Sequence, residues 1–372
     1  MPRFPRRYDA RIMKRLLTPD LARGGMLALI ALANSAVYLY DRPYGVRQHI
    51  VETDLLDRLV SAFVVTFVDA RAYPMFAFLF AYGVARMAPE RARSRNVWLI
   101  VFGFCHALLL FPGDVLGLYG LLGFAVIAMS RLKDRTLLVS AALWLVVTAL
   151  VQGQAYATPP NGQRAFFLSF ETADPLAALA LRPLEWLLVP FGLVGVGAAA
   201  FVGVWAARRD VLAAPDRHRR LLRPVAVGGI SLAVLGGLPS GLAVAHFWEP
   251  GGLWGLAALH AVTGVAGGLG YAALIALISL RVRESGAVVR AVAACGERSL
   301  SCYLFQSVVF VLLFAPYTLG LGAVLGSAAT ALVALATWLV SVLLADLLRR
   351  RGVRGPAETL LRRARKLQSS PA

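Results

Sequence analysis

The stretch LVSAFVVTFVDARAYPMFAFLFAYGVA, residues 59–85, decides the fold. The apolar or small residues Leu59 to Val68 precede an acid and a base two positions apart, Asp69 and Arg71, and a second apolar run follows Tyr73-Pro74. That length matches a bilayer crossing, for which roughly 17 to 25 residues per helix suffice. In such a crossing both charges lie near the midplane, where each costs at least about 2.5 kcal/mol on insertion scales, so the pair marks a functional site by default. Pro74 removes a backbone donor and disfavours helical geometry at Tyr73, which predicts a break beside the charges. Broken helices at that depth persist only where they line a cavity or are covered by protein.

The rest of the chain has the same character. Of its 372 residues 59% are hydrophobic and only 16% charged, and the mean hydropathy is +0.68, too little polar surface to enclose a water-soluble core. Apolar runs near 20–40, 59–86, 97–111, 115–130, 136–155, 184–207, 224–245, 253–280, 297–315 and 321–348 predict an all-α, polytopic membrane bundle of about ten transmembrane helices. The bundle is expected over 19–348, between a basic tail at 1–18 and a second at 349–372 that includes a short amphipathic helix starting at Pro356 and Glu358. The longest connection, 152–183, is expected outside, with Phe166-Phe167 in the headgroup layer.

A net charge of +18 could suggest nucleic acid, so the positions of the basic residues decide. With the N-terminus in the cytoplasm, segments 1–23, 86–95, 131–135, 208–223, 281–298 and 349–366 hold 32 of the 38 Lys and Arg residues. Arg42, Arg47, Arg58, Arg164 and Arg182 fall on the other side, Arg71 on neither, and the acids divide almost evenly. This is the positive-inside rule, with both termini cytoplasmic in an inner membrane. The partners it implies are anionic headgroups rather than nucleic acid. Cys105, Cys295 and Cys302 form neither a disulfide framework nor a metal spacing, and no metal is expected. The run after the basic N-terminus carries Asp20 and Arg23 at its mouth, which favours an uncleaved first span over a signal peptide despite Ala31-Leu32-Ala33.

Helical rise converts these positions into depths. Asp20 and Arg23 share a helix face at the cytoplasmic end, and Asn34 lies about 16 Å further along, level with Asp69 and Arg71. His106 and His260 are expected about 10 Å below the external ends of their helices, with His246 and Asp114 at the external rim. Asp114 follows Pro112-Gly113 and fits an N-cap. Tyr303 and Gln306 share a face in the inner half. Packed together, these residues would form a polar column through the bilayer.

The motifs Pro19-Asp20-Leu21-Ala22-Arg23-Gly24 with Asn34, Asp69-Ala70-Arg71-Ala72-Tyr73-Pro74-Met75-Phe76 through Gly83, and His106-Ala107-Leu108 with Phe111-Pro112-Gly113-Asp114 resemble the YeiB-like family of bacterial membrane proteins of unknown function. So do Gly296-Glu297-Arg298-Ser299-Leu300-Ser301-Cys302-Tyr303-Leu304-Phe305-Gln306-Ser307 and Gly355-Pro356-Ala357-Glu358. Over the first quarter, Asp20-x-x-Arg23-Gly24, Asn34, Asp69, Pro74, Phe76 and Gly83 are also similar to the heparan-alpha-glucosaminide N-acetyltransferase family. That resemblance implies transfer of an acyl group from cytosolic acyl-CoA to an acceptor on the far side. The family's catalytic histidine precedes the residue matching Asp69, and positions 59–68 contain none. Either His106 supplies the base or the activity differs.

For an acyltransferase, His106 is the expected general base and Asn34 an oxyanion donor, with Asp69 and Asp114 supporting. Arg23, Arg71 and the cytoplasmic arginines would meet the phosphates of acyl-CoA, with Asp20, Tyr303 and Gln306 completing its site. The acceptor would be an external sugar or envelope component. Two other classes stay open: a proton-coupled transporter, since intramembrane Asp, Arg and His suit a proton relay, and a scaffold in which the buried pair fixes packing.

Overall fold

The computed structural model describes residues 17–282 and 286–369, so most of the N-terminal basic tail lies outside the described residues. The helices are α1 (Leu17–Ser35), α2 (Leu55–Phe67), α3 (Ala72–Ala85), α4 (Pro89–Leu109), α5 (Val115–Met129), α6 (Asp134–Ala155) and α7 (Pro175–Trp186). There follow α8 (Leu193–Arg208), α9 (Arg219–Val244), α10 (Trp254–Ser279), α11 (Ala287–Glu297), α12 (Ser299–Phe314), α13 (Ser327–Arg350) and α14 (Pro356–Ser369). Extended pairing among the described residues is limited to isolated bridges at Tyr44. The protein is a polytopic helix bundle. Seven of its described helices or helix pairs are long and apolar enough to cross a membrane, or eight when α11 and α12, bent by 84°, count as one span.

Side chains such as Leu143, Val227, Leu235, Leu332 and Leu343 lie exposed along α6, α9 and α13. So many large apolar groups on the outside fit hydrocarbon, not water. Association inside a bilayer relies on close packing of small residues. A side chain at Gly24 would collide with the backbone of Val292, and one at Gly296 with the backbone of Asp20, so α1 and α11 touch main chain to main chain. Helices α9 and α10 form the most extensive pair, and α2, α3 and α6 pack onto them.

The crossing over Leu55–Ala85 is broken, as its sequence predicts, but at a different residue. Tyr73 is helical and Pro74 is the third residue of α3, where a missing N–H costs nothing because first-turn donors have no partner within the helix. The break falls one turn earlier, at Ala70, whose φ is 59°. The span expected at 297–315 is likewise broken, since α11 meets α12 at a sharp bend. In the 152–183 segment Phe166 is exposed, whereas Phe167 packs against Phe111 and Phe170. The amphipathic helix at Pro356 is present as α14. Its Glu358 lies in the first turn as expected and also reaches across to α12, accepting from Leu300 N at 2.9 Å and Ser301 N at 3.2 Å in that helix's first turn.

A left-handed alanine is strained by about 1–2 kcal/mol, so Ala70→Gly is expected to leave the melting temperature in detergent level or higher. Gly264 of α10 faces the Ala70 carbonyl with no space for a Cβ, so Gly264→Ala should destabilise by about 1–3 kcal/mol. An unchanged melting temperature in Gly264→Ala would contradict this packing.

Candidate functional site

The break at residues 68–71 opens backbone groups that a bilayer cannot satisfy, and side chains close it. Tyr271 donates to the carbonyl of Phe67 at 2.7 Å, Tyr119 to that of Tyr73 at 2.8 Å, and Arg71 Nη1 to that of Asp69 at 2.5 Å. Arg71 is completely buried. Its Nη2 donates to the Ala233 carbonyl at 2.6 Å, and Nη1 lies 3.1 Å from His260 Nε2. Gly237 of α9 leaves the space the guanidinium occupies. Both Nη groups of Arg71 therefore donate inside the bundle, while its Nε has no partner among the described residues.

Asp69 does not pair with the Arg71 side chain. Its Oδ2 accepts from Arg47 Nη2 at 2.9 Å and Nε at 3.2 Å and lies 3.2 Å from His260 Nε2, while Oδ1 accepts from Ala70 N at 2.8 Å. Arg47 reaches in from the connection between α1 and α2, where Arg47 and Gln48 have φ of 58° and 62°. Two adjacent non-glycine residues in that region store strain, balanced here by the ion pair and by stacking of the guanidinium 4.7 Å from the Tyr156 ring centre. His49, on the same connection, has its pKa lowered by burial; Asp69 opposes the shift and Arg47 reinforces it.

A second cluster joins three segments. His106 Nδ1 lies 2.8 Å from Asp114 Oδ1, and His106 Nε2 lies 2.8 Å from Ser307 Oγ. All three residues are buried. Because a carboxylate only accepts, the neutral imidazole carries its proton on Nδ1, which leaves Nε2 to accept from the Ser307 hydroxyl. Asp114 also caps α5, accepting from Leu116 N at 3.0 Å and Gly117 N at 2.5 Å, so the helix end that it caps also fixes its carboxylate. The Tyr303 ring stands 5.0 Å from His106, and its hydroxyl is buried without a hydrogen-bond partner.

The other expected site residues are dispersed. Arg23 pairs with Asp20 at 2.8 Å. Asn34 is half-buried, next to last in α1, so the depth count that set it level with Arg71 brings it to a helix end. Gln306 donates to the Leu27 carbonyl at 3.4 Å and leaves its Oε1 unpaired. Sequence reasoning placed His260 in the polar column without a functional role, and missed Arg47 and Ser307. Ser307 lies four residues after Tyr303, on the same helix face, a signal that was available; the reach of Arg47 into the bundle had none.

Removing one member of a buried pair leaves the other charge uncompensated. Asp69→Ala should therefore cost about 3–5 kcal/mol in detergent-solubilised unfolding, and Asp69→Ala with Arg47→Met should recover much of it. Additive losses in that double-mutant cycle would show that the two residues are not coupled.

Comparison with known proteins places the chain among uncharacterised relatives. Residues 206–368 match the family model described as "Protein of unknown function (DUF418)". The chain is 25% identical over 354 residues to the uncharacterised protein YxaH of Bacillus subtilis, covering 82% of this chain and 81% of that one. It is 32% identical to the uncharacterised protein YeiB of Escherichia coli over 121 residues, 30% of each chain. An uncharacterised 39.9 kDa protein of Bacillus acidopullulyticus is 26% identical over 40% of this chain and 43% of its own. Over residues 206–368 this membrane-type helical protein is thus similar to the DUF418 family, and over shorter stretches to YeiB-like proteins.

Proposed function

We propose that this protein is an acyltransferase of the inner membrane, moving an acyl group from cytosolic acyl-CoA to an external sugar or envelope acceptor. The observation that carries the reading is the Asp114–His106–Ser307 array, with 2.8 Å at each link. A hydroxyl, a base and a carboxylate that orients the base are the geometry of nucleophilic acyl transfer, recognised by roles and not by fold. Ser307 Oγ attacks the thioester carbonyl as its proton passes to His106 Nε2. The C–S bond then breaks and the thiol leaves with that proton. The acceptor hydroxyl or amine attacks the acyl-serine, gives its proton to His106, and Ser307 regains a proton as its C–O bond breaks. The unpartnered Tyr303 hydroxyl supplies a donor for the developing oxyanion.

One observation favours a proton-coupled transporter. The Asp69 side chain is 21% exposed, while His260 and Arg71 behind it are fully buried, an arrangement suited to proton exchange at a broken span. Flux into proteoliposomes that follows a pH gradient and disappears in Asp69→Asn would support that alternative.

Incubation of the purified protein with an acyl-CoA and no acceptor is expected to add one acyl mass to the peptide containing Ser307. Ser307→Ala should abolish the adduct, and His106→Gln should slow its formation by about 10²–10⁴-fold. Equal acyl-CoA turnover by Ser307→Ala and the wild type would overturn the reading.

A further inference from the structure

A partly enclosed cleft with a cavity volume of about 60 Å³ runs between α1, α3, α4, α5 and α12. Its walls are apolar or aromatic, with Leu27, Phe76, Leu99 and Tyr119 among them, and its two most informative members are Arg95 and Tyr303. Arg95 lies eleven residues before His106 on α4, about 16 Å along the axis. Tyr303 stands beside His106. The cleft therefore leads from a cation toward the array that contains Ser307.

The cation end gathers arginines. The Arg95 guanidinium lies 4.8 Å from the Phe80 ring centre and has no ion pair with any described residue. Arg23 and Arg365 are close enough to repel it, and Arg365 Nε is buried with no acceptor among the described residues. Nearby acids are already engaged. Asp20 pairs with Arg23, Glu297 lies against Arg298, and Glu358 holds the start of α12. Neither Arg95 nor Arg365 has an ion pair with a described residue, and two neighbouring guanidiniums present the donors that a phosphate group accepts.

The apolar end sets the other half of the ligand. Leu27, Phe76, Leu99 and Tyr119 wall it with apolar and aromatic surface, which suits a single acyl chain and offers nothing to a polar group. We propose that the cleft binds an amphiphile with a single apolar chain and a phosphate head, the head on Arg95 and Arg365 and the chain against Leu99 and Tyr119. Two sources carry that chemistry: a single-chain phospholipid from the membrane and a long-chain acyl thioester of a phosphorylated carrier from the cytosol. The assignment deepens the acyl-transfer reading and rests on it for what happens to the chain once bound.

Binding is measured without turnover, on the full chain in mild detergent, by native mass spectrometry. The probes are oleoyl lysophosphatidate and palmitoyl-CoA, with zwitterionic oleoyl lysophosphatidylcholine and chain-free CoA as controls. Either or both probes should bind at least tenfold tighter than the controls; lysophosphatidate alone would identify the membrane source and palmitoyl-CoA alone the cytosolic one. Arg95→Gln should weaken binding about tenfold and Arg95→Lys less. Arg365→Gln on the peripheral α14 repeats the test at a position that folding tolerates more readily, and Ser307→Ala should bind like the wild type. Lysophosphatidylcholine binding as tightly as lysophosphatidate, chain-free CoA matching palmitoyl-CoA, or wild-type affinity in both Arg95→Gln and Arg365→Gln would overturn the proposal. Binding that survives with no acyl-serine formed would leave the cleft assigned and reject only the chemistry.

Discussion

A helix opened inside a bilayer must have its backbone groups satisfied by protein, because no water is there to do it. That constraint organises the centre of this molecule. The left-handed turn at Ala70 draws a hydroxyl from α10 onto Phe67, a hydroxyl from α5 onto Tyr73, and the Arg71 guanidinium onto Asp69. Each donor comes with its helix. The same guanidinium reaches the Ala233 carbonyl of α9, and the glycines of α9 and α10 stand where larger residues would strike it or the turn. One broken turn thus dictates the identity of residues on several neighbouring helices.

Much of this was legible in the sequence, and the reasons differ by residue. The membrane class follows from composition, and the break in the second crossing from two charges and a proline in an apolar run. The capping role of Asp114 and the Asp20–Arg23 pair were readable because both depend on residues within one turn. Ion pairing at Asp69 was not. Its partner Arg47 comes from a connection 22 residues upstream, through two left-handed residues that local propensity would not choose. The Asp114–His106–Ser307 array spans 201 residues, and no periodicity encodes such a distance. Asn34, expected level with Arg71 by helical rise, lies at the end of α1, which stops one residue beyond it.

The two polar clusters have different characters. Around Asp69 the side chains mostly serve the backbone and one another, so a change there should be felt first as stability. Around His106 each link has a chemical direction: a carboxylate that can only accept, an imidazole with one free lone pair, and a hydroxyl that must donate. A purely structural network has no need of that ordering. The unpartnered Tyr303 hydroxyl beside it is a further mark of incompleteness, since buried polar atoms are ordinarily satisfied.

The grip of Glu358 on the start of α12 has a consequence for biogenesis. The backbone donors of Leu300 and the carboxylate that receives them are 58 residues apart. At about 5–20 residues per second of synthesis, the helix carrying Ser307 waits roughly 3–12 seconds for its cap to leave the ribosome. Throughout that interval α12 has an open first turn, although His106 and Asp114 were made long before. The array is thus locked in place by a segment translated well after it, and a nascent chain stopped short of α14 holds a complete set of reactive side chains on a helix whose beginning is not yet fixed.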